Sequence, residues 1–253
     1  MPLRVATWNV NGIRARHSEL VAWASARELD VICLQELKAS PEQVPEALTT
    51  LPRYWSFWHG RTGGYSGVSL HLRRETFADR VSFTHPAFDA EARIVQACVG
   101  NVVFVSVYVP NGGKDYPAKL RFLEAMQAYV QSVHDSGKQL VLCGDMNVAR
   151  GDQDVHPSQR KPNAIGQRPD ERALFEGVIA SGLVDVGRAL HPDSGELFTW
   201  WPFWQGARLR NVGWRLDYVL ASSELASSAA SARIEKEIGT SDHAPFVVEF
   251  DRA

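Results

Sequence analysis

The chain has 253 residues, 45% of them hydrophobic and 22% charged, the composition of a globular protein with an ordinary core. No apolar stretch approaches the roughly 20 residues that a membrane span needs. A net charge of −2 excludes a uniformly basic nucleic-acid binder.

The N-terminus, MPLRVATWNV, passes almost directly into an apolar run without a signal-peptide pattern, so a cytoplasmic location is expected. Val5–Val10 reads as a strand, and Leu20, Trp23 and Ala24 mark a helix that ends before Asp30. Val31–Leu34 and Val68–Leu72 are the next strands. Ile94–Val109 is too long for one strand, and Gly100-Asn101 in its middle signals a hairpin. Leu120, Leu123, Met126, Val130 and Val133 define a second helix face, with Pro117 near its start and Gly137 past its end. Leu140–Cys143 follows as a strand. A third helix carries Leu174, Val178 and Ile179 between the Pro169-Asp170 start and Gly182. Tyr218–Ala221 and Phe246–Phe250 complete the strands. Cys33, Cys98 and Cys143 each lie inside an apolar run and form neither a CxxC motif nor a zinc-type cluster, which predicts reduced, buried thiols. With no linker or low-complexity tract, residues 1–253 read as a single domain. Strand pairs interspersed with single helices suggest two packed sheets covered by helices, although one mixed sheet would also accommodate them.

The conspicuous polar residues sit just past these strands. Asn9 and Asn11 follow VATW, Gln35 and Glu36 end VICLQE, and Tyr108 and Asn111 end VFVSVYVPN. Asp145 and Asn147 end LVLCGDMN, Asp217 stands in WRLDYVLA, and Asp242-His243 precede APFVVEF. An isolated Asp-x-Asn is more often a turn, but turn chemistry alone does not repeatedly put acids after buried strands. Residues two apart on a strand face the same way, so Asn9/Asn11 and Asp145/Asn147 are expected to present pairs to one face. Oxygen donors with a single histidine suit Mg²⁺ (or Mn²⁺), an ion that binds through few carboxylates plus substrate phosphate. A phosphate-bearing substrate follows. Two acid-free stretches, His156–Arg168 with Arg160, Lys161 and Arg168, and Trp200–Leu216 with Arg208, Arg210 and Arg215, would give such a substrate a locally positive surface.

TWNVNGIRA, LQELK, GYSGV, YVPN, GDMNV, NVGWRLDY and SDHAP together resemble the exonuclease III/AP endonuclease family of the endonuclease/exonuclease/phosphatase superfamily, from Ala6 to Pro245. The resemblance implies an α/β fold: a four-layered α/β sandwich of two packed β-sheets flanked by helices, with the site at one end. It implies a Mg-dependent hydrolase of DNA repair that cuts at abasic sites, trims 3′ ends as a 3′→5′ exonuclease, or removes 3′-phosphates. In that reading Glu36 and Asp242 hold the metal with Asn9 and Asn11 nearby; Asn11 stands where some family members have aspartate. Asp145 acts as base, Asn147 holds water or a phosphoryl oxygen, Asp217 orients His243, and Tyr108 and Asn111 contact the phosphate. Trp200, Trp214 and Leu216 would line an apolar pocket for a base-free sugar. Arg14, Tyr65, Arg93 and Lys114, and the loop residues Arg160, Lys161 and Asn163, would contact the backbone of double-stranded DNA. A monomer without membrane association is expected.

Two other readings compete. A phosphatase of the same superfamily, acting on inositol phosphates or nucleotides, would keep GDMN and SDHAP but leaves WRLDY and the aromatic FTWWPFWQGARLRNVGWRL segment without a purpose, whereas rings beside cations suit base stacking or a flipped nucleotide. A DNA-binding protein that has lost catalysis would lack an acid or the histidine, and Glu36, Asp145, Asp217, Asp242 and His243 are all present.

Overall fold

Strands form where apolar runs can be covered on both faces, and polar turns end them. The computed structural model describes residues 2–49, 51, 53–78 and 81–251. In chain order its strands and helices are β1 (Leu3–Asn9), α1 (Ile13–Arg27), β2 (Val31–Gln35), α2 (Glu46–Thr49), β3 (Tyr54–His59) and β4 (Val68–Arg73). Then come β5 (Phe83–Thr84), β6 (Ile94–Val99), β7 (Val102–Tyr108), α3 (Tyr116–Asp135), β8 (Gln139–Asp145) and α4 (Pro169–Ala180). The chain closes with β9 (Leu183–Asp185), α5 (Val186–Leu190), β10 (Asp217–Ser222), α6 (Ser223–Ser227), β11 (Ala229–Ile234) and β12 (Phe246–Phe250).

Two six-stranded sheets result, ordered β11-β12-β1-β2-β4-β3 and β5-β6-β7-β8-β10-β9. Val5, Cys33 and Leu70 of the first pack against Phe104, Val141 and Val219 of the second. The outer face of the first sheet, with Trp8, Ile32 and Leu34, is covered by Leu20 and Trp23 of α1. That of the second, with Val105, Leu142 and Leu220, is covered by Leu123 and Met126 of α3 and Phe175 of α4. The four layers are therefore helix, sheet, sheet, helix, as the sequence implied. Burial on both faces explains why the central strands read as unbroken apolar runs instead of alternating ones.

Helix α3 starts where expected: the Asp115 side chain accepts from Ala118 N at 2.9 Å, and Pro117 stands in the first turn. The hairpin at Gly100-Asn101 separates β6 from β7. Cys98 departs from expectation. Cys33 and Cys143 are buried but Cys98 is exposed, because β5 pairs only with Ala97 and Gln96 and leaves the end of β6 uncovered. Among the described residues, no helix is long and apolar enough to cross a membrane.

The topology sets the site. β1 runs parallel to β2, with Asn9 opposite Gln35, and β7 runs parallel to β8, with Tyr108 opposite Asp145. β10 pairs antiparallel with β8 so that its first residue, Asp217, faces Asp145. β12 pairs antiparallel with β1, which brings the residues preceding it to the same end.

Candidate active site

The chain leaves these strand ends through side-chain-closed turns. Asn9 Oδ1 accepts from Asn11 N at 3.0 Å, and Asp145 Oδ1 accepts from Asn147 N at 2.9 Å. Asn11, Glu36, Lys38 and Asn147 all adopt left-handed backbone, with φ of 46°, 51°, 52° and 51°. The pairing inferred from strand alternation therefore needs correcting. Asn11 and Asn147 lie past their strands, and an Asx turn, not the pleat, folds each back toward its partner. Turn chemistry and site chemistry reside in the same residues. Asparagine tolerates this conformation, whereas at Glu36 and Lys38 it costs roughly 1–2 kcal/mol each, which the surrounding bonds must offset.

Asn9 is the hub. Its Nδ2 donates to Asp145 Oδ2 at 2.8 Å and to Glu36 Oε1 at 3.1 Å, joining a carboxylate from each sheet. Glu36 Oε1 also accepts from the Tyr108 hydroxyl at 2.9 Å, and Glu36 Oε2 pairs with Lys38 Nζ at 2.8 Å. Asn11 Nδ2 donates to Asp242 Oδ1 at 2.7 Å, and Trp200 Nε1 donates to Asp242 Oδ2 at 3.0 Å. His243 Nδ1 donates to Asp217 Oδ2 at 2.7 Å, leaving Nε2 directed toward Asp145 Oδ2 at 3.9 Å. Asn147 Nδ2 donates to Val109 O at 2.9 Å, and Asn111 Nδ2 reaches Asn147 Oδ1 at 3.3 Å. The histidine loop is anchored by Ser241 Oγ donating to Asn9 O at 2.7 Å and by Trp8 Nε1 donating to His243 O at 3.2 Å.

Charge state follows from this burial. Burial pushes the Asp145 carboxyl up, the His243 charge opposes it, and the Asp217 and Glu36 charges add to it, leaving a pKa of about 7. Burial alone would lower His243, but the Asp217 and Asp145 carboxylates more than offset it and raise its pKa to about 10. Burial also pushes Glu36 up, and hydrogen bonds from Lys38 and Asn9 overcome that and hold it below the usual carboxylate range. Asp242 behaves alike, with burial outweighed by the His243 charge and bonds from Asn11 and Trp200. Near neutral pH Glu36 and Asp242 are thus firm carboxylates, Asp145 is poised and His243 is an imidazolium.

The acidic edge beside Glu36 could hold a cation. Lys38 Nζ sits there, 2.8 Å from Glu36 Oε2 and 2.5 Å from Asn11 Oδ1, so a positive charge is accommodated by oxygen donors alone. Such donors suit a hard ion. Asn9 turns its amide nitrogen toward the carboxylates while its oxygen serves Asn11 N, which makes it a bridge between them.

The rim is mixed. Arg93 is buried, stacks on Tyr108 and Tyr65 at 4.9 and 5.0 Å, and donates to the Tyr65 hydroxyl at 2.5 Å. Lys114 lies 5.8 Å over the Tyr65 ring, and a cleft of about 710 Å³ opens between these residues and Asn111. Arg14 is exposed on the first turn of α1, and Arg160, Lys161 and Asn163 are exposed on the loop before α4. Trp200 and Trp214 meet edge to face at 5.5 Å, and Leu216, two residues after Trp214, is buried. Gly166 is required here, since a Cβ on it would lie 2.8 Å from the Trp214 ring.

The aromatic segment divides in a way its composition did not foretell. Trp201 is core, and Arg208 spends its guanidinium on the carbonyls of Lys236, Ile238 and Ser241. Arg215 is buried between Asp154 and Asp185 and is closed to any ligand. Phe203, Trp204, Leu209 and Arg210 are left exposed. Lys38 is a site residue that strand-end position does not single out, and its one signal is that LQELK sets it two residues past Glu36. Thr199, whose Oγ1 accepts from Asp217 N at 3.0 Å, carried no sequence signal.

This two-sheet frame with acids, amides and one histidine at a shared end defines a metal-assisted phosphoesterase class. The profile of the Endonuclease/Exonuclease/phosphatase family matches residues 6–243, and the chain belongs to that family. The chain is 33% identical to recombination repair protein 1 of Drosophila melanogaster, across 98% of this chain but only 37% of that one. It is 32% identical to an exodeoxyribonuclease of Bacillus subtilis over 96% of this chain and 97% of the relative. An AP endonuclease structure from Archaeoglobus fulgidus superposes with a TM-score of 0.87 at 31% identity, covering 99% of this chain and 100% of that one.

Proposed function

We propose that this chain is a DNA-repair phosphodiesterase, dependent on Mg²⁺ or Mn²⁺, that hydrolyses the DNA backbone at abasic sites and 3′ ends. The observation that carries the reading is the Asn9-bridged meeting of Glu36 and Asp145, with the Asp217–His243 pair against Asp145. Residues 1–253 act as one catalytic domain, as a monomer, with double-stranded DNA as the partner. Unpaired cysteines are consistent with the cytoplasm.

Glu36 and Asp242 hold the cation, with Asn9 and Asn11 fixing their orientation. When bound, the ion supplies Lewis acidity to the phosphoryl group and stabilises charge on the departing 3′-oxygen. Asp145, with its pKa near neutrality, accepts a proton from the attacking water. Asp217 keeps His243 protonated and fixes its ring orientation, so that Nε2–H donates to a phosphoryl oxygen. Asn111 Nδ2 exchanges its long bond to Asn147 Oδ1 for a phosphate oxygen, which frees Asn147 Oδ1 to accept from the attacking water, and the Tyr108 hydroxyl turns its one proton from Glu36 to the phosphate. Arg14, Lys114, Arg160, Lys161 and Asn163 grip the backbone, while Arg93 supports Tyr65 from beneath. Trp200, Trp214 and Leu216 line a recess fit for a sugar without its base. Trp200 has a second task, since its indole N–H orients Asp242. A phosphatase for inositol phosphates or nucleotides would have no use for this rim.

The test offers the protein a duplex with one abasic site, a duplex with a recessed 3′ end and an inositol polyphosphate. Cleavage of the two DNAs is expected in Mg²⁺, loss of it in EDTA, and recovery on adding excess Mg²⁺. Chelator-resistant cleavage, or turnover of the inositol phosphate alone, would overturn the assignment.

A further inference from the structure

A second group of metal-competent side chains lies on a different part of the fold. We propose that His59, His85 and Asp89 form an accessory cation site that takes a borderline transition-metal ion such as Zn²⁺. His59 ends β3, the edge of the first sheet, whereas His85 directly follows β5, the edge of the second. Asp89 lies in the turn that leads on to β6. The three donor atoms lie within 4.8 Å of one another. His59 Nε2–H donates to Asp89 Oδ2 at 2.6 Å, His85 Nδ1 is 4.0 Å from the same oxygen, and the two imidazoles stack at 4.7 Å.

An ordinary histidine–aspartate hydrogen bond accounts for the 2.6 Å contact and nothing more. It leaves unexplained a second imidazole stacked on the first with a ring nitrogen near the same carboxylate. Metal ligation accounts for the third donor atom gathered beside the other two, with the stacked rings splaying as the ion binds. Two imidazoles and a carboxylate, completed by water, are a common catalytic-type zinc set, with metal–ligand bonds of about 2.0–2.2 Å. Around a tetrahedral ion those bonds separate donors by roughly 3.3–3.5 Å. The short contact must open and the long one close, each by less than about 1 Å.

The surroundings favour this adjustment. The Asp89 side chain is 0% exposed, and its other oxygen accepts from Arg93 N at 2.9 Å, the kind of outer bond that orients a ligating carboxylate. The His85 side chain is 48% exposed and the His59 side chain 20%, which leaves the imidazole side open for ion entry and a water ligand. Imidazole ligands select against Mg²⁺, so the site discriminates between the ion it takes and the one the catalytic carboxylates favour. Occupancy would link the edges of both sheets and stiffen the turn that carries Arg93 to Tyr65 and Tyr108.

The EDTA-stripped full chain, held in excess Mg²⁺ to occupy the catalytic carboxylates, is titrated with Co²⁺ as a spectroscopic probe. A single equivalent is expected, with the strong visible absorption of a low-coordinate nitrogen–oxygen site, and Zn²⁺ should displace it. Glu36→Gln should retain that signal, while His85→Ala and His59→Gln should each lose it. Zn²⁺ should raise the thermal midpoint of the parent protein by several degrees and leave that of His85→Ala unmoved. Absence of any Mg²⁺-insensitive Co²⁺ binding, or undiminished binding in the correctly folded His85→Ala protein, would overturn the site.

Discussion

Asp145 and His243 form the most sharply tuned pair in the molecule. Both are buried, and each raises or lowers the other's proton affinity, so their pKa values separate to about 7 and about 10. The base must be ionised and the imidazole protonated, which predicts a bell-shaped activity profile. Activity should fall tenfold per unit as pH drops below Asp145's pKa, at or below 7 once a cation adds its charge. It should fall again as pH rises through about 10. Initial rates across pH would check this, and His243→Gln should erase the alkaline limb. Asp145→Asn should cut turnover by about 10²–10⁴-fold, the usual contribution of a general base. Its DNA affinity, measured by gel shift, should stay near that of the parent. Unchanged turnover would remove the base assignment.

At the scale of elements, the loops bearing the proposed DNA contacts are held by buried ion pairs. Arg215 donates through Nε to Asp154 at 2.8 Å and through Nη1 and Nη2 to Asp185 at 2.8 and 2.7 Å. It thereby ties the loop after β8 and the start of α5 to the entry of β10, next to Asp217. Removing it takes the shared partner from two buried carboxylates, leaving Asp154 with Arg188 alone and Asp185 with the more distant Arg150. Arg215→Met should therefore destabilise the fold by about 3–5 kcal/mol in urea unfolding. Trp214 is fixed by its Nε1 donating to Gln159 at 2.5 Å and by the gap that Gly166 leaves. Trp214→Ala should slow incision at abasic sites more than release of a 3′-phosphate. Equal losses in a side-by-side assay would deny it a part in the sugar recess.

For the molecule as a whole, the sandwich buries a histidine whose charging it opposes. His71, in β4, is enclosed between Ser69 and Ser56, with hydroxyls at 2.8 and 2.9 Å, and burial drives its pKa down to about 3. The unfolded chain binds a proton there near pH 6.5, whereas the folded chain refuses it until about pH 3. Stability is therefore complete above about pH 6.5 and is lost as pH falls toward the folded value, by about 1.4 kcal/mol per unit. His71→Asn should weaken that dependence. Urea midpoints at pH 7, 6 and 5 would reveal it, and parallel slopes for parent and variant would contradict it.

The sequence by itself determined the central strands, the three long helices and the identity of the acids, amides and histidine that close on one another. Central strands are buried on both faces, so their apolar runs are unbroken and legible. The strands it did not reveal, β3, β5, β9 and β11, are the four sheet edges, short or half-covered, where one-sided burial leaves no continuous run. Chemistry-bearing residues were legible for a related reason: a polar side chain immediately after an apolar run must lie at a strand end. Which ends coincide was a matter for strand order and register alone. Only the folded chain decided that Asn9 joins carboxylates from two sheets, that Lys38 stands between Glu36 and Asn11, and that Arg215 is spent on Asp154 and Asp185. Those outcomes depend on contacts between residues far apart in the chain, whose charge and burial are not properties of any local stretch.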